Sequence, residues 1–181
     1  MTKGLMHPPL MLDGEIVLYI SSLLDSQQSL GRPNVLVANK DKSFQGSVVV
    51  GMGFVLEPEE AQALIKRDVR NKEVVFPYLN GEDLNSGPDQ APTRWVINFF
   101  DWPLEKAEKY PEPMRIIREK VYPIRANVNR EAHRKYWWHY GDKRPALYRT
   151  IEPMKRVLVV ARVTKYLNFV FVPKGWVYNE K

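Results

Sequence analysis

Residues 77–98 read PYLNGEDLNSGPDQAPTRWVIN, and this stretch holds two strand-like segments on either side of a polar loop. The first segment runs into an Asn-Gly-Glu-Asp turn, and Arg94 opens the second. Short apolar segments bounded by turn residues are typical of strands that are joined by loops. The stretch contains no pairing of a nucleophile with a base and no spacing typical of metal ligands. We therefore interpret it as part of a recognition surface.

The composition outside this stretch suits one folded domain. The chain has 181 residues, of which 44% are hydrophobic and 12% aromatic, which is enough to bury a core and too apolar for a disordered segment. It has no cysteine, so disulfides and thiolate metal sites are excluded. The longest apolar run, residues 157–161, is too short to cross a membrane, and residues 1–15 lack the apolar core of a signal peptide. We expect a cytoplasmic protein with no membrane partner.

Charge is divided unevenly along the chain. Residues 1–104 hold nine Lys or Arg and thirteen Asp or Glu, a net of −4, whereas residues 105–181 hold eighteen and eight, a net of +10. A basic half of this kind favours a polyanion partner, most often nucleic acid. The alternative is a solvated basic surface without a ligand.

Periodicity and turn residues predict both strands and helices. The predicted strands cover residues 15–20, 34–38, 44–56 (as one or two strands with a turn at Gly51 and Gly53), 74–79, 94–99, 156–163, 168–172 and 176–178. The predicted helices cover residues 58–67, 104–109, 114–122 and 129–140. This order favours the α+β class, with helices packed on a mixed or antiparallel sheet. Residues 1–14 are predicted to be a flexible lead-in, and residues 15–181 a single domain.

Two glycine- and proline-containing motifs suggest chemistry that the surrounding residues do not support. The GxxxxGxG pattern in residues 44–54 is neither the dinucleotide fingerprint nor a phosphate loop, and the following Glu59 and Glu60 would repel a phosphate. His7-Pro8-Pro9-Leu10 is similar to the Asp/Asn-Pro-Pro-aromatic motif of DNA amino-methyltransferases. Here His7 replaces the acceptor and Leu10 the stacking ring, so neither role can be filled.

Metal and carboxylate catalysis are equally poorly supported. His133 and His139 are six residues apart and would not share a helix face, and no clustered carboxylates are present to hold a catalytic ion. Pro88-Asp89 is not followed by the Glu-x-Lys of a nuclease site. Glu82 and Asp83 are adjacent in a turn, where Asp83 is expected to bind local amides; the alternative is that one of them accepts from a cytosine amine. We expect no catalytic residues and no metal site on this chain.

The densest mixture of basic and aromatic residues is HRKYWWHYGDKRPALYR, residues 133–149. If this segment is helical, one of Trp137 and Trp138 is buried while the other faces solvent. The basic side chains predicted to contact phosphates are Arg134, Lys135, Lys143 and Arg144. Such contacts provide affinity without sequence information.

A second basic segment links the last two long strands. Arginine and lysine can donate to guanine, and asparagine can pair with adenine. The residues predicted to read bases are Arg162, Thr164, Lys165 and Asn168 in this loop, and Asn80 and Arg94 in the opening stretch.

Five motifs together resemble a known family. They are SFQGSVVVGMGFVLEPEEA (43–61), FPYLNGEDLNSGPDQAPTRWVINFFDWPLEKAEKYP (76–111), EKVYPIR (119–125), YWWHYGDKRPALYR (136–149) and RVLVVARVTKYLNFVFVP (156–173). In order and spacing they resemble the target-recognition, or specificity, domain of large bacterial restriction–modification adenine DNA methyltransferases of type IIG-like organisation. The resemblance covers residues 43–173.

The resemblance implies a function and two partners. In that family a catalytic domain precedes this region and supplies the S-adenosylmethionine site, and neither is found here. The chain would then be a DNA-recognition module, truncated relative to a full methyltransferase, with double-stranded DNA and a methyltransferase catalytic domain as partners and no cofactor or enzymatic activity of its own.

Three other functions remain open at this point. The chain could dock a separate methyltransferase or nuclease subunit, for which exposed Trp102 and Trp176 would be suited. It could be a complete methyltransferase with a divergent site. It could bind RNA, although its aromatic residues do not follow the pattern of single-strand platforms.

Overall fold

The computed structural model describes residues 9–21, 24, 26 and 36–181. The chain forms two compact units, residues 1–40 and 41–181. In the smaller unit, strands β1 (Leu10–Leu12) and β2 (Glu15–Val17) form an antiparallel hairpin. Strand β2 is shorter than the strand predicted over residues 15–20, and β1 was not predicted.

Two other sequence-based expectations fall in this unit. Where a strand was predicted over residues 34–38, Val37–Asn39 form a 3₁₀ helix; Asn34 and Val35 lie outside the described residues. His7 also lies outside them. The boundary predicted after residue 14 stays a prediction.

The larger unit contains both strands and helices. Its strands are β3 (Val55–Leu56), β4 (Val75–Leu79), β5 (Arg94–Ile97), β6 (Arg156–Val160), β7 (Phe169–Pro173) and β8 (Val177–Tyr178). Its helices are α1 (Pro58–Arg67), α2 (Gly81–Ser86), α3 (Leu104–Ala107), α4 (Pro111–Lys120), α5 (Tyr122–Ala126), α6 (Glu131–Lys135) and α7 (Pro145–Ile151). Helices α3 to α7 follow one another between β5 and β6. None of the helices in the described residues is long and apolar enough to cross a bilayer.

The strands form one mixed sheet and one separate pair. The mixed sheet has the order β3-β5-β4-β8, with β5 antiparallel to β3 and β4, and β8 parallel to β4. Strands β6 and β7 form an antiparallel hairpin outside this sheet. Helices beside mixed and antiparallel sheets make this an α+β protein, and the predicted fold class is confirmed.

The main core lies where the mixed sheet meets α1 and α4. Its fully buried members include Phe54, Leu56, Ile97, Phe99 and Ile117. Because interiors are close-packed, truncating one of these large apolar side chains to alanine would cost about 2–5 kcal/mol of unfolding free energy.

Helix α1 begins and ends where the sequence predicts. Pro58 occupies the first helical position, where its missing N–H is not needed. The carboxylate of Glu60 accepts from the backbone N–H of Glu57 at 3.0 Å, and Lys66 and Arg67 lie near the negative end of the helix dipole. These local signals fix both ends.

Helix α4 begins earlier than residue 114, where the prediction placed it. Pro111 and Pro113 both lie in its first turn. Proline is tolerated there because the first N–H groups of a helix have no partner within the helix. The two prolines therefore start this helix instead of separating it from its predecessor.

The segment predicted as strands over residues 44–56 is mostly irregular. Ser47 and Val48 form isolated bridges, Met52–Phe54 form a 3₁₀ helix, and only Val55–Leu56 form a strand. Gly51 has φ 107°, so the turn predicted there is present and requires glycine.

A buried arginine holds this turn. Arg125 is 2% exposed, and its Nη2 donates to the carbonyl oxygens of Val49 and Val50 at 3.2 and 3.1 Å. Val50 has φ 52°, a strained value for a β-branched residue. Burial lowers the pKa of Arg125.

The helix predicted over residues 129–140 is limited to α6. The helix ends at Lys135, so the helical spacing of side chains does not apply to Trp137 and Trp138. Both tryptophans are buried, at 8% and 6% exposure. The expectation that one of them faces solvent is wrong. Trp138 Nε1 donates to the carbonyl oxygen of Trp102 at 2.9 Å, which explains how its polar atom is accommodated.

Candidate nucleic-acid interface

The β6–β7 hairpin has two different faces. Its register runs from the pair Arg156–Pro173 to the pair Val160–Phe169. The side chains of Val157, Val159, Val170 and Val172 pack with Leu147 and Ile151 of α7. The opposite face exposes Leu158, Val160, Phe169 and Phe171. The hairpin is thus anchored by its inner face to α7.

The residues that connect the two strands, 161–168, form what we call the hairpin tip. All of them except Ala161 are exposed. The side-chain Nδ2 of Asn85, in α2, donates to the carbonyl oxygen of Val163 at 2.9 Å. Thr164 Oγ1 donates to the carbonyl oxygen of Tyr166 at 2.8 Å and accepts from its N–H at 3.3 Å. The tip is therefore a turn closed by Thr164 and tethered by Asn85.

The other predicted base-reading residues of the tip have donors near the surface. Arg162 lies 3.9 Å from the carboxylate of Glu180, with its side chain 62% exposed. Lys165 Nζ lies 5.1 Å from the ring centre of Tyr166. Asn168 makes no side-chain hydrogen bond with any described residue. The structure brings these three side chains together on one loop, while Thr164 has a structural role.

Asn80, which was predicted to read bases from the opening stretch, lies inside the protein. It is 7% exposed, and its Oδ1 accepts from the backbone N–H groups of Glu82 and Asp83 at 2.7 and 3.2 Å. Asn80 is therefore the N-cap of α2, and its position corrects the expectation of a surface residue. Its Nδ2 is buried and has no partner among the described residues.

Asp83 completes this cap. One carboxylate oxygen accepts from the N–H of Asn80 at 3.0 Å, and the other accepts from the Thr93 hydroxyl at 2.7 Å. Asp83 is 3% exposed. These contacts match the expectation that Asp83 binds local amides, and they leave it buried away from any base.

Arg94 is half-buried on β5, opposite Tyr78 of β4. Burial raises the pKa of Tyr78 to about 12, and the positive charge of Arg94 opposes that rise. Arg94 therefore belongs to the mixed sheet, and its role in base reading stays a prediction.

The four predicted phosphate-contacting residues lie in two places. Arg134 and Lys135 are exposed on α6. Arg134 Nη1 donates to the carbonyl oxygens of Val128 and Asn129 at 2.6 and 2.9 Å, so part of its guanidinium is already engaged. Lys135 Nζ lies 5.5 Å from the ring centre of Tyr136 and remains available to an anion.

Arg144 has a structural position. Its backbone has φ 50°, and its side chain donates to the Gly46 carbonyl at 3.2 Å and to Gln45 Oε1 at 2.8 Å. It also pairs with Asp142 at 3.0 Å. With these partners, Arg144 holds the start of α7 against residues 45–46, and its guanidinium is less available than the sequence suggested.

Lys143 lines a surface cavity of about 380 Å³, which we call the Trp102 cavity. Its lining residues are Phe100, Asp101, Trp102, Lys143, Pro145, Tyr148, Arg149 and Glu152. Arg149 was not among the predicted residues, although it closes the basic-aromatic segment. Arg149 and Lys143 are six residues apart in the sequence. Helix α7 brings them to the same cavity.

A buried histidine orients Lys143. His139 Nε2 lies 2.8 Å from the Trp102 carbonyl oxygen, which can only accept, so this nitrogen carries the proton. Its Nδ1 is then free to accept from Lys143 Nζ at 3.4 Å. Burial lowers the pKa of His139 most, the hydrogen bond to Trp102 raises it, and Lys143 lowers it further. A neutral His139 therefore supports the lysine.

Metal chemistry has no ligand cluster in this part of the molecule. Among the residues that the structure describes, no three His, Asp or Glu side chains converge as metal ligands do. His139 is occupied by Trp102 and Lys143, and His133 lies elsewhere, half-buried on α6.

Comparison with known proteins supports a fold relationship. No family model matches the sequence, and no curated protein matches it. Among solved structures, the chain is similar to the Type IIL restriction-modification enzyme MmeI in complex with DNA, with a TM-score of 0.59 and 13% sequence identity. The match covers 96% of this chain and 23% of the enzyme. This protein therefore shares its fold with part of a restriction–modification enzyme, about a quarter of that enzyme's length.

Proposed function

We propose that this chain is a sequence-specific double-stranded DNA recognition module of a restriction–modification adenine methyltransferase. The observation that carries the proposal is the hairpin tip, where Arg162, Lys165 and Asn168 lie exposed on one anchored loop. These are the side-chain types that form specific hydrogen bonds with guanine and adenine. The fold shared with part of a restriction–modification enzyme supports the same function.

The geometry of the hairpin suits a DNA groove. A two-stranded β-ribbon is narrow enough to enter the major groove of B-DNA. In this proposal the tip enters the groove, and Arg162 and Lys165 donate to base edges while Asn168 pairs with the N6 amine and N7 of adenine. Thr164 and Asn85 hold the turn in shape. The inner face, packed on α7, keeps the tip at a fixed angle.

Affinity would come from a second set of basic residues. Lys135 on α6 and Lys143 with Arg149 at the Trp102 cavity are cations near the aromatic segment that form no ion pair with the described residues. Contacts from such residues to phosphates are independent of sequence and sensitive to salt. Arg134 would contribute with the part of its guanidinium that the backbone leaves open.

The reaction itself would belong to another domain. We propose that a methyltransferase catalytic domain, on the same or another polypeptide, binds S-adenosylmethionine and flips the target adenine. This chain would contribute DNA recognition and no catalysis, in the cytoplasm. A calorimetric titration with S-adenosylmethionine would overturn this division of labour if it produced heat of binding.

DNA binding can be tested with matched charge variants. Fluorescence anisotropy on a random-sequence duplex should show binding at low salt that weakens steeply as salt rises. The double variant Arg162→Ala/Lys165→Ala should lose preference among duplexes in a selection experiment. The control Lys66→Ala/Lys72→Ala removes the same charge from exposed positions on α1 and the following 3₁₀ turn. The proposal would be refuted if both double variants had the same preference among duplexes, or if the folded protein did not bind DNA at low salt.

A further inference from the structure

The free edge of strand β6 lines a cavity of the larger unit. This cavity, of about 580 Å³, is bordered by every residue of β6, by α7 and by residues 41–44. We call it the edge cavity. The inward and outward side chains of β6 both contribute to its wall, so the backbone edge between them faces the cavity.

The hydrogen-bond register shows which β6 groups face this cavity. Lys174 N–H donates to the Lys155 carbonyl oxygen at 3.3 Å, and hydrogen-bonded pairs recur at every second position of an antiparallel ladder. Val157 and Val159 are therefore the β6 residues bonded to β7. The N–H and C=O groups of Arg156, Leu158 and Val160 point the other way. None of the described residues hydrogen-bonds them.

The opposite edge of the hairpin is partly obstructed. Pro173 on β7 has no N–H, and its carbonyl oxygen accepts from the Tyr178 hydroxyl at 2.8 Å. Proline at an edge is a common way to prevent further pairing. The β6 edge has no such protection, and a two-stranded hairpin is the smallest and least stable form of sheet.

The edge cavity also offers groups that fit a polypeptide strand. Its floor includes Leu84, Leu147 and Ile151, which suit apolar side chains at alternate positions. Asn80 also lines this cavity, and its buried Nδ2 has no hydrogen-bond partner among the described residues. The rim carries Lys42, Arg156 and Lys181 against the single acidic side chain of Asp41, so its charge complements acidic residues.

We propose that the β6 edge is a docking site for an extended strand of a partner polypeptide. The strand would have apolar side chains at alternate positions and an acidic residue at its end. It would bind by adding to the sheet beside β6, with main-chain bonds providing affinity and the cavity selecting side chains. This site is separate from the hairpin tip and does not depend on DNA binding.

Hydrogen exchange of the free protein gives the first test. The amides of Leu158 and Val160 should exchange fast, while those of Val157 and Val159, bonded to β7, should be protected. A short peptide that alternates valine and threonine, with glutamate at each end, should slow exchange at Leu158 and Val160. Protection of these two amides that grows with protein concentration alone would show that a second copy is the occupant, and would overturn the proposal.

Two variants of Leu158 distinguish main-chain hydrogen bonding at the β6 edge from binding by apolar contact alone. Leu158→Pro removes an outward N–H without touching the bonds to β7, and it should weaken peptide binding about tenfold or more. Leu158→Ala removes the same side chain but keeps the N–H, and it should retain most of the binding. Equal loss in both variants would overturn the proposal.

Modified peptides keep the test valid if a variant fails to fold. N-methylation of the peptide amides that face β6 should abolish binding by the wild-type protein. N-methylation of the amides that face away should leave it unchanged. A peptide with lysine ends should bind more weakly than the one with glutamate ends. The absence of binding by both peptides, or indifference to the position of the methyl groups, would refute strand addition.

Discussion

The Nε of Arg144 donates a hydrogen bond of 3.2 Å to the carbonyl oxygen of Gly46, 98 residues away in the sequence. The contact joins the start of α7 to the first segment of the larger unit. It is one of several that use basic residues for structure in a region where the sequence suggested DNA contact. The predictions below separate these two uses of positive charge.

Replacing Arg144 should lower stability more than replacing its neighbour Lys143. Arg144→Ala removes bonds to Gly46 and Gln45 and should cost about 1–3 kcal/mol of unfolding free energy, because bonds from charged groups are among the stronger ones. Lys143→Ala should change that free energy little. Urea titration of both variants measures the difference, and equal stability would contradict the structural role of Arg144.

Lys165 and Lys135 should differ in their effects on DNA binding. Lys165→Ala at the hairpin tip should change which duplexes are preferred, because it removes the proposed base contact. Lys135→Ala on α6 should weaken all duplexes alike and reduce the slope of log affinity against log salt by about one. Selection on random duplexes with a salt series distinguishes them. Identical sequence preferences in both variants would show that the division of roles is wrong.

Stability should fall as the pH drops below the ordinary His139 pKa of 6.5. Burial lowers the pKa of His139 in the folded protein, so between the two pKa values the unfolded chain binds the proton more readily. Stability from this group is complete above pH 6.5 and declines as the pH approaches the lower, folded pKa. His139→Gln should flatten this part of the pH–stability curve. An unchanged curve would show that His139 is not a source of the decline.

Removing the cap of α2 should destabilise the protein modestly. Asn80→Ala removes the acceptor of the Glu82 and Asp83 N–H groups and should cost about 1 kcal/mol. Asn168→Ala, at an exposed position of the tip, is the matched control and should leave stability unchanged. Thermal unfolding of both variants provides the measurement. A stable Asn80→Ala variant with altered DNA preference would instead favour the base-reading role.

Much of the fold could be predicted where local signals were complete. The ends of α1 follow from Pro58, from Glu60 and from the basic residues of its last turn. The strands β4 to β8 were placed within a few residues, since β-branched runs bounded by turns identify them. Fold class followed from their order.

The incorrect predictions concern residues whose conformation or burial depends on tertiary contacts and not on local sequence. Pro111 and Pro113 begin α4 instead of ending its predecessor, a choice that only the position of the first turn explains. Trp137 and Trp138 are both buried because the chain leaves its helix at Lys135. Helix α7 follows Arg144, whose left-handed backbone no sequence pattern indicated.

For the candidate site, too, some features could be predicted from the sequence and others could not. Exposure of Arg162, Lys165 and Asn168 could be predicted, since loops between strands lie at the surface. The burial of Asn80 could not, because its role depends on the helix that follows it. The proximity of Arg149 to Lys143 likewise requires the turn of α7.

Alternation along the β6–β7 hairpin has a consequence for how such a module could change over time. Valines of the two strands hold the hairpin to α7, whereas the residues that would contact DNA lie at other positions, in the loop. Substitutions at the exposed positions of the loop, residues 162–168, would therefore leave the packing beneath it in place. Substitutions in this loop could therefore change the DNA sequence that is recognised during evolution while the stability of the fold is retained.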